Sequence, residues 1–240
     1  MSTAGPETHL EVIVMSVEDA LAAEAGGATR VEVVRDIHED GLTPDVRLVE
    51  ALLARVRLPL RVMVRPRNTF VVGDDAHRAE IARDAAALAD LPVDVVTGYV
   101  RPAADGGTEL DEAALALVAE RVPRARLTVH RAVERLTVDP AAALHRCAQV
   151  DRVLSAGAGT TWAERAVALA RLQAAIEPVR VIVGGGVSSE AVAALSAVGT
   201  LHELHVGRLA RTGETFAAPV DAGIVAALRA RWFSRESSRA

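Results

Sequence analysis

Two glutamates stand inside runs that are otherwise apolar and β-branched: Glu11 in residues 10–15, and Glu32 in Val31-Glu32-Val33-Val34. An ionised carboxylate in such a run needs a partner or a shifted pKa. Each is therefore a candidate acid/base or ligand-binding group, or half of a structural ion pair. Val64-Arg65-Pro66-Arg67 places two guanidinium groups on a backbone stiffened by proline. Arg61, Met63 and Arg65 share one face of a strand by the period-two rule, whereas Arg67 lies past its end. Arg65 is therefore the predicted partner of the inner carboxylates, or an anion clamp. Thr128-Val129-His130-Arg131-Ala132 ends another run and makes His130 a candidate general acid or base near neutral pH. His205 is a weaker candidate on the same ground, and His9, His38, His77 and His145 receive no role.

A second kind of chemistry is suggested by the glycines. Val181-Ile182-Val183 runs into Gly184-Gly185-Gly186, after which Val187-Ser188-Ser189 opens a helix, and a later strand ends at Val206-Gly207-Arg208. Bare backbone N–H groups beside a helix N-terminus suit phosphate, and glycine permits the close approach. Gly185, Gly186 and Gly207 are thus predicted phosphate-binding positions, with Ser155 of Ser155-Ala156-Gly157-Ala158-Gly159 as an auxiliary. The alternative is that these glycines only make tight turns.

Two absences restrict the mechanism further. All 27 basic residues are arginine, so an amine nucleophile is missing and Schiff-base chemistry, pyridoxal phosphate included, is excluded. The lone cysteine, Cys147, lies in the predicted helix 141–150, which rules out an intrachain disulfide and any CxxC motif. It reads as a small packing residue. No local spacing motif supports a zinc or iron site built from His130, His205, Glu11 and Glu32, and no metal ligands are assigned.

The elements that must carry these residues repeat as a beat. Short runs rich in Val, Ile and Leu are predicted as strands at 10–15, 30–34, 60–64, 93–97, 126–130, 151–154, 180–183 and 201–206. Strands buried on both faces have this composition. Ala- and Leu-rich amphipathic stretches lie between them. Their predicted starts are Ser16, Thr43 before Pro44, Asp139 before Pro140, and Thr161 with Glu164 as a capping box. Eight such units in 240 residues predict a single-domain (β/α)8 TIM barrel over residues 9–233, with a disordered segment at 1–8 and a flexible tail at 234–240. Chemistry in barrels sits at the carboxyl ends of the strands, where most of the residues above fall.

Half the residues are hydrophobic and the formal net charge is −5. Without a basic block, nucleic acid is excluded as partner. No apolar run reaches the roughly 18 residues of a membrane span, and residues 1–8 have neither the basic start nor the apolar stretch of a secretory signal. The expectation is a cytoplasmic protein whose partner is a small anionic ligand or a metal ion.

Taken together and in order, Glu11 to Ser16, Arg30-Val31-Glu32, Asp40-Gly41-Leu42-Thr43-Pro44, Val64 to Arg67, Val96-Thr97-Gly98, Thr128 to Ala132, Arg152-Val153-Leu154-Ser155 and Glu203-Leu204-His205 resemble the CutC-like family, called copper homeostasis proteins. The order and spacing hold from about residue 10 to residue 208. The resemblance implies a cytoplasmic, often self-associating barrel with an interior polar cluster at Glu11, Glu32, Arg65 and His130, and it implies copper handling. Family members often carry cysteines after the strand-one and strand-two glutamates, whereas Ile13, Val14 and Val34 stand here. Cu(I) prefers thiolate and thioether ligands. Copper binding or handling is therefore expected through the resemblance. The residues themselves point to a Lys-independent acid/base enzyme, an isomerase or lyase, acting on a small phosphorylated or anionic substrate.

Overall fold

A computed structural model describes residues 7–237. The chain runs β1 (His9–Val14), α1 (Val17–Ala25), β2 (Arg30–Val33), α2 (Val46–Leu53), β3 (Leu60–Met63), α3 (Asp75–Ala86) and β4 (Asp94–Thr97). It continues with β5 (Val100–Pro102), β6 (Thr108–Leu110), α4 (Glu112–Arg121), β7 (Leu127–Val129), α5 (Ala141–Arg146) and β8 (Val150–Ser155). The last elements are α6 (Trp162–Ile176), β9 (Arg180–Val183), α7 (Ser189–Val198), β10 (Glu203–Val206) and α8 (Ala222–Ser237). Eight parallel strands close in the order β1-β10-β9-β8-β7-β4-β3-β2, with helices outside: the (β/α)8 barrel expected from the repeat.

Local signals explain the element starts. Ser16 accepts the N–H of Asp19, and Thr161 and Glu164 form a reciprocal capping box on α6. Thr43 does not begin a helix as expected. Its hydroxyl accepts the N–H of Arg65 at 2.9 Å, and Asp45 caps α2 instead. The antiparallel pair β5–β6 was not foreseen, since three-residue strands are too short to show a period. Residues 1–6 and 238–240 lie outside the described residues, Glu7 and Thr8 lead directly into β1, and residues 234–237 form the last turn of α8. Trp232 of α8 is buried and donates its indole N–H to the His9 carbonyl at 3.1 Å, docking that helix under β1.

The barrel interior departs from the layers of Val, Ile and Leu usual in this fold. Towards the amino ends of the strands it is built of ions. Arg61 meets Asp151 at 3.0 Å, Asp94 at 3.3 Å and the Thr128 hydroxyl. Arg152 holds Glu203 at 2.7 Å, and Arg30 holds the same carboxylate at 2.8 Å. One step nearer the carboxyl ends, Ile13, Val34, Met63 and Val96 form an apolar collar. Above the collar opens a cavity of about 890 Å³.

Candidate active site

Strand register decides which side chains meet inside the barrel. Glu11 of β1 stands opposite Arg30 of β2 and His205 of β10. Arg30 Nε donates to Glu11 Oε2, and His205 Nδ1 lies 2.7 Å from Glu11 Oε1. His205 Nε2 is 3.7 Å from Glu32 Oε2. Donor atoms of Glu11, Glu32 and His205 all lie within 4.8 Å of one another, and all three residues are buried. Glu32 and His205 line the cavity, while Glu11 sits behind them.

Their surroundings drive the two carboxyl groups apart. Burial alone would raise Glu11, but the charge of Arg30, the hydrogen bond and charge of His205 and the charge of Arg61 together hold it well below the usual carboxylate range. Glu32 has burial as its largest influence and no direct cationic partner at hydrogen-bond distance. The His205 charge only partly offsets that burial, the Glu11 charge adds to it, and the carboxyl is pushed up to about 7. Burial lowers His205, but the Glu32 charge and the Glu11 hydrogen bond and charge outweigh it and raise the imidazole above its ordinary 6.5. The result is an imidazole whose protonated form is favoured, between a carboxyl held low and one pushed up to about 7.

A pH dependence of folding follows from these directions. Glu32 and His205 are both raised, so their stabilising protons are fully bound below about 4.5 and 6.5 and are lost as pH rises through the folded-state values. Glu11 is lowered, so its contribution is present above 4.5 and is lost as pH falls. Urea unfolding should therefore give maximal stability near the ordinary 4.5 of a glutamate, with a decline as pH rises from there to the about 7 of Glu32, steepened above 6.5 by His205. Flat stability across that interval would refute the pairing.

Other predicted residues lie elsewhere in the mouth. Arg65 is not the partner of the inner carboxylates. Two periods beyond Arg61, which stands opposite Glu32, and just past the end of β3, its guanidinium reaches to the carbonyls of Glu39 at 2.8 Å and Gly41 at 2.9 Å and to Asn68 Oδ1 at 2.6 Å. It staples two loops and lies over Phe70, 4.7 Å from the ring centre. Nor is His130 a proton carrier at neutral pH, because burial and then the Arg65 charge press its imidazole down to about 3. It lines the cavity as a neutral ring. Ser155 does not line the cavity; its hydroxyl accepts the Gly157 N–H at 3.0 Å. Gly207 borders the cavity, but a Cβ there would stand 2.7 Å from the Phe216 ring, so the ring occupies the approach that an anion would use.

Gly185 and Gly186 both have positive φ, near +83° and +82°, ahead of α7. The space over Gly186 is open within 4 Å. Arg135 and Arg208 line the same cavity and have no carboxylate partner among the described residues. Gly207→Ala should cost about 1–3 kcal/mol by overpacking against Phe216 and Ile13, read by urea unfolding. Unchanged stability would mean that the Phe216 ring swings clear without cost.

The CutC family description matches residues 8–209, nearly all of the described barrel. This chain belongs to the CutC family. A CutC protein of Mesorhizobium japonicum is 36% identical over 83% of this chain and 77% of its own length. The copper homeostasis protein cutC homolog of Drosophila melanogaster is 30% identical over 89% and 82% respectively. Among solved structures, CutC of Streptococcus agalactiae superposes with a TM-score of 0.71 at 19% identity, covering 83% of this chain and 98% of its own. Orotidine 5′-monophosphate decarboxylase of Methanocaldococcus jannaschii gives 0.59 at 11% identity, covering 95% and 99%. Both structures show the shared barrel alone.

Within this CutC-family barrel the residues do not fit Cu(I). Cys147 caps the end of α5 in the outer layer, and Met63 packs in the apolar collar. The clustered donors are two carboxylates and an imidazole, a hard set. Both Glu11 oxygens and His205 Nδ1 are already engaged, and Arg30 places a cation against the same carboxylate. Sequence reading missed Arg30 and ranked His205 below His130. The signal was present, since Arg30 alternates with Glu32 and Glu203 with His205 on inward positions.

Proposed function

We propose that this protein is a cytoplasmic acid/base enzyme acting on a small anionic substrate at the carboxyl mouth of the barrel, with Glu32 and His205 as its proton-transfer pair. One observation carries the reading: two carboxyl groups flank one imidazole, and their environments push one down and the other up to about 7 on the floor of a large cavity. Divergent titration of neighbouring groups assigns acid and base roles. Glu32 is the general base, poised to accept a proton at neutral pH. His205 is the acid, its ring orientation fixed and its charge stabilised by Glu11 from behind. Arg135 and Arg208 attract the anionic end of the substrate, and Gly185 and Gly186 offer it backbone N–H groups beside α7.

Copper homeostasis, the role in the name of the Drosophila relative, is the second reading. The Glu11, Glu32 and His205 cluster favours it for a divalent ion rather than Cu(I). Such an ion would have to displace the His205–Glu11 hydrogen bond. The deciding experiment offers metal-stripped protein phosphorylated and carboxylated hydroxy- and oxo-compounds in D2O, with C–H exchange followed by NMR. Parallel melts with Cu(I), Cu(II) and Zn(II) report metal binding by mass action. Catalysed exchange supports the enzyme. Tight metal binding without exchange anywhere in the panel would replace it with metal handling.

A further inference from the structure

The acid/base reading leaves one buried polar group at the mouth unexplained. His130 Nδ1 accepts the Ala132 N–H at 3.1 Å, so the ring hydrogen sits on Nε2. Nε2 is buried and has no hydrogen-bond partner among the described residues. A buried donor without an acceptor is destabilising, so its retention calls for an acceptor. The ring is held in place: Phe70 packs edge-on with centroids 5.2 Å apart, and Gly98 leaves only enough room that a Cβ would stand 3.3 Å from Nδ1. The residue lines the same cavity as Glu32 and His205.

We propose that His130 is a fixed, neutral hydrogen-bond donor to a substrate carbonyl oxygen, and that the substrate is a small phosphorylated carbonyl compound whose α-carbon proton is taken by Glu32. The inference rests on the acid/base reading and names its substrate class. The Glu32 carboxylate removes the proton from the α-carbon. The C–H electron pair becomes the carbon–carbon double bond, and the carbonyl π pair moves onto oxygen, where Nε2–H stabilises the developing charge. His205 gives its proton to that oxygen, making an enediol when the α-carbon carries a hydroxyl; Glu32 then returns its proton to the former carbonyl carbon while the other hydroxyl's proton passes back to His205, which completes an isomerisation without any external oxidant or reductant. A neutral imidazole suits this task better than a charged one, because it polarises the oxygen without giving up its proton. The phosphate end is assigned from Arg135 and Arg208, which have no carboxylate partner among the described residues, and from Gly185-Gly186 ahead of α7.

The test uses the full-length chain labelled with 15N and the enediolate mimic phosphoglycolohydroxamate, with inorganic phosphate as the control. Long-range 1H–15N spectra should show His130 as the Nε2–H tautomer without titration between pH 5 and 8. The mimic should shift its Nε2 resonance and inorganic phosphate should not. His130→Ala should weaken the mimic at least tenfold and leave phosphate affinity unchanged, with His130→Gln, which restores a donor, in between. An Nδ1–H tautomer, titration within that interval, an unshifted Nε2, or equal affinity in His130→Ala would overturn the donor role. Failure of the mimic to bind would overturn the substrate class. Should His130 behave as expected while Glu32→Gln retains full exchange activity, the acid/base reading alone falls.

Discussion

Arg30→Met should cost about 3–5 kcal/mol of folding stability, the largest loss expected from any single interior substitution in this barrel. Arg30 bridges Glu11 and Glu203, and all three side chains are at most 5% exposed. Methionine fills similar volume but leaves the carboxylates behind. Glu203 keeps Arg152 at 2.7 Å, so the orphan is Glu11, left with the His205 hydrogen bond and the weaker charge of Arg61. A buried carboxylate stripped of its main counter-charge must protonate or bear its desolvation. The loss should be full near pH 7 and should shrink as pH falls below the ordinary 4.5 of a glutamate, where protonation relieves it. Combining Arg30→Met with Glu11→Gln should recover most of the stability, since replacing both members of a buried pair is far cheaper than removing one. Urea unfolding of the three variants at pH 7 and pH 4 measures all of this. A cost under about 1 kcal/mol for Arg30→Met would mean that the interior ions are solvated well enough not to need each other.

The barrel was legible in the sequence because each of its units announces itself locally. Ser16 and Thr161 carry caps within four residues of their partners, and strands such as β2 and β3 are buried at every position, so their apolar runs needed no long-range information. Glu11 and Glu32 were legible for the converse reason, as charges that such runs do not tolerate. What failed was pairing across the sheet. Glu11 meets His205 only because β10 closes the barrel against β1, a contact between residues 194 positions apart. Arg65 looked like the natural partner by its face, but the carboxylates lie two periods lower, opposite Arg30 and Arg61. The ranking of His130 above His205 reversed on the same ground. Both stand at strand ends, but one faces two carboxylates and the other an arginine and a phenyl ring. Spacing places a histidine at the mouth of a barrel; only its neighbours decide whether it carries a proton.

That distinction gives the second large effect its diagnostic value. Glu32→Gln should lower kcat/KM for the exchanged substrate by about 10²–10⁴-fold, the usual worth of a positioned general base. The same variant should be more stable than the parent at pH 8, by on the order of 2–3 kcal/mol. The sign follows from direction. With its carboxyl raised to about 7, Glu32 favours the folded state only while protonated, and above that pH the ionised group is a cost that glutamine does not carry. At pH 5 the two proteins should differ little. His205 tempers the gain, since it loses the Glu32 charge that helps to hold its proton. A structural ion pair would behave in the opposite way, losing stability at pH 8 and leaving activity untouched. Greater stability bought with lost turnover is the signature of a group kept in a costly environment for its chemistry. Unfolding curves at pH 5 and pH 8, set beside deuterium exchange rates, separate the two cases, and a variant both less stable at pH 8 and fully active would return Glu32 to the barrel's structural ions.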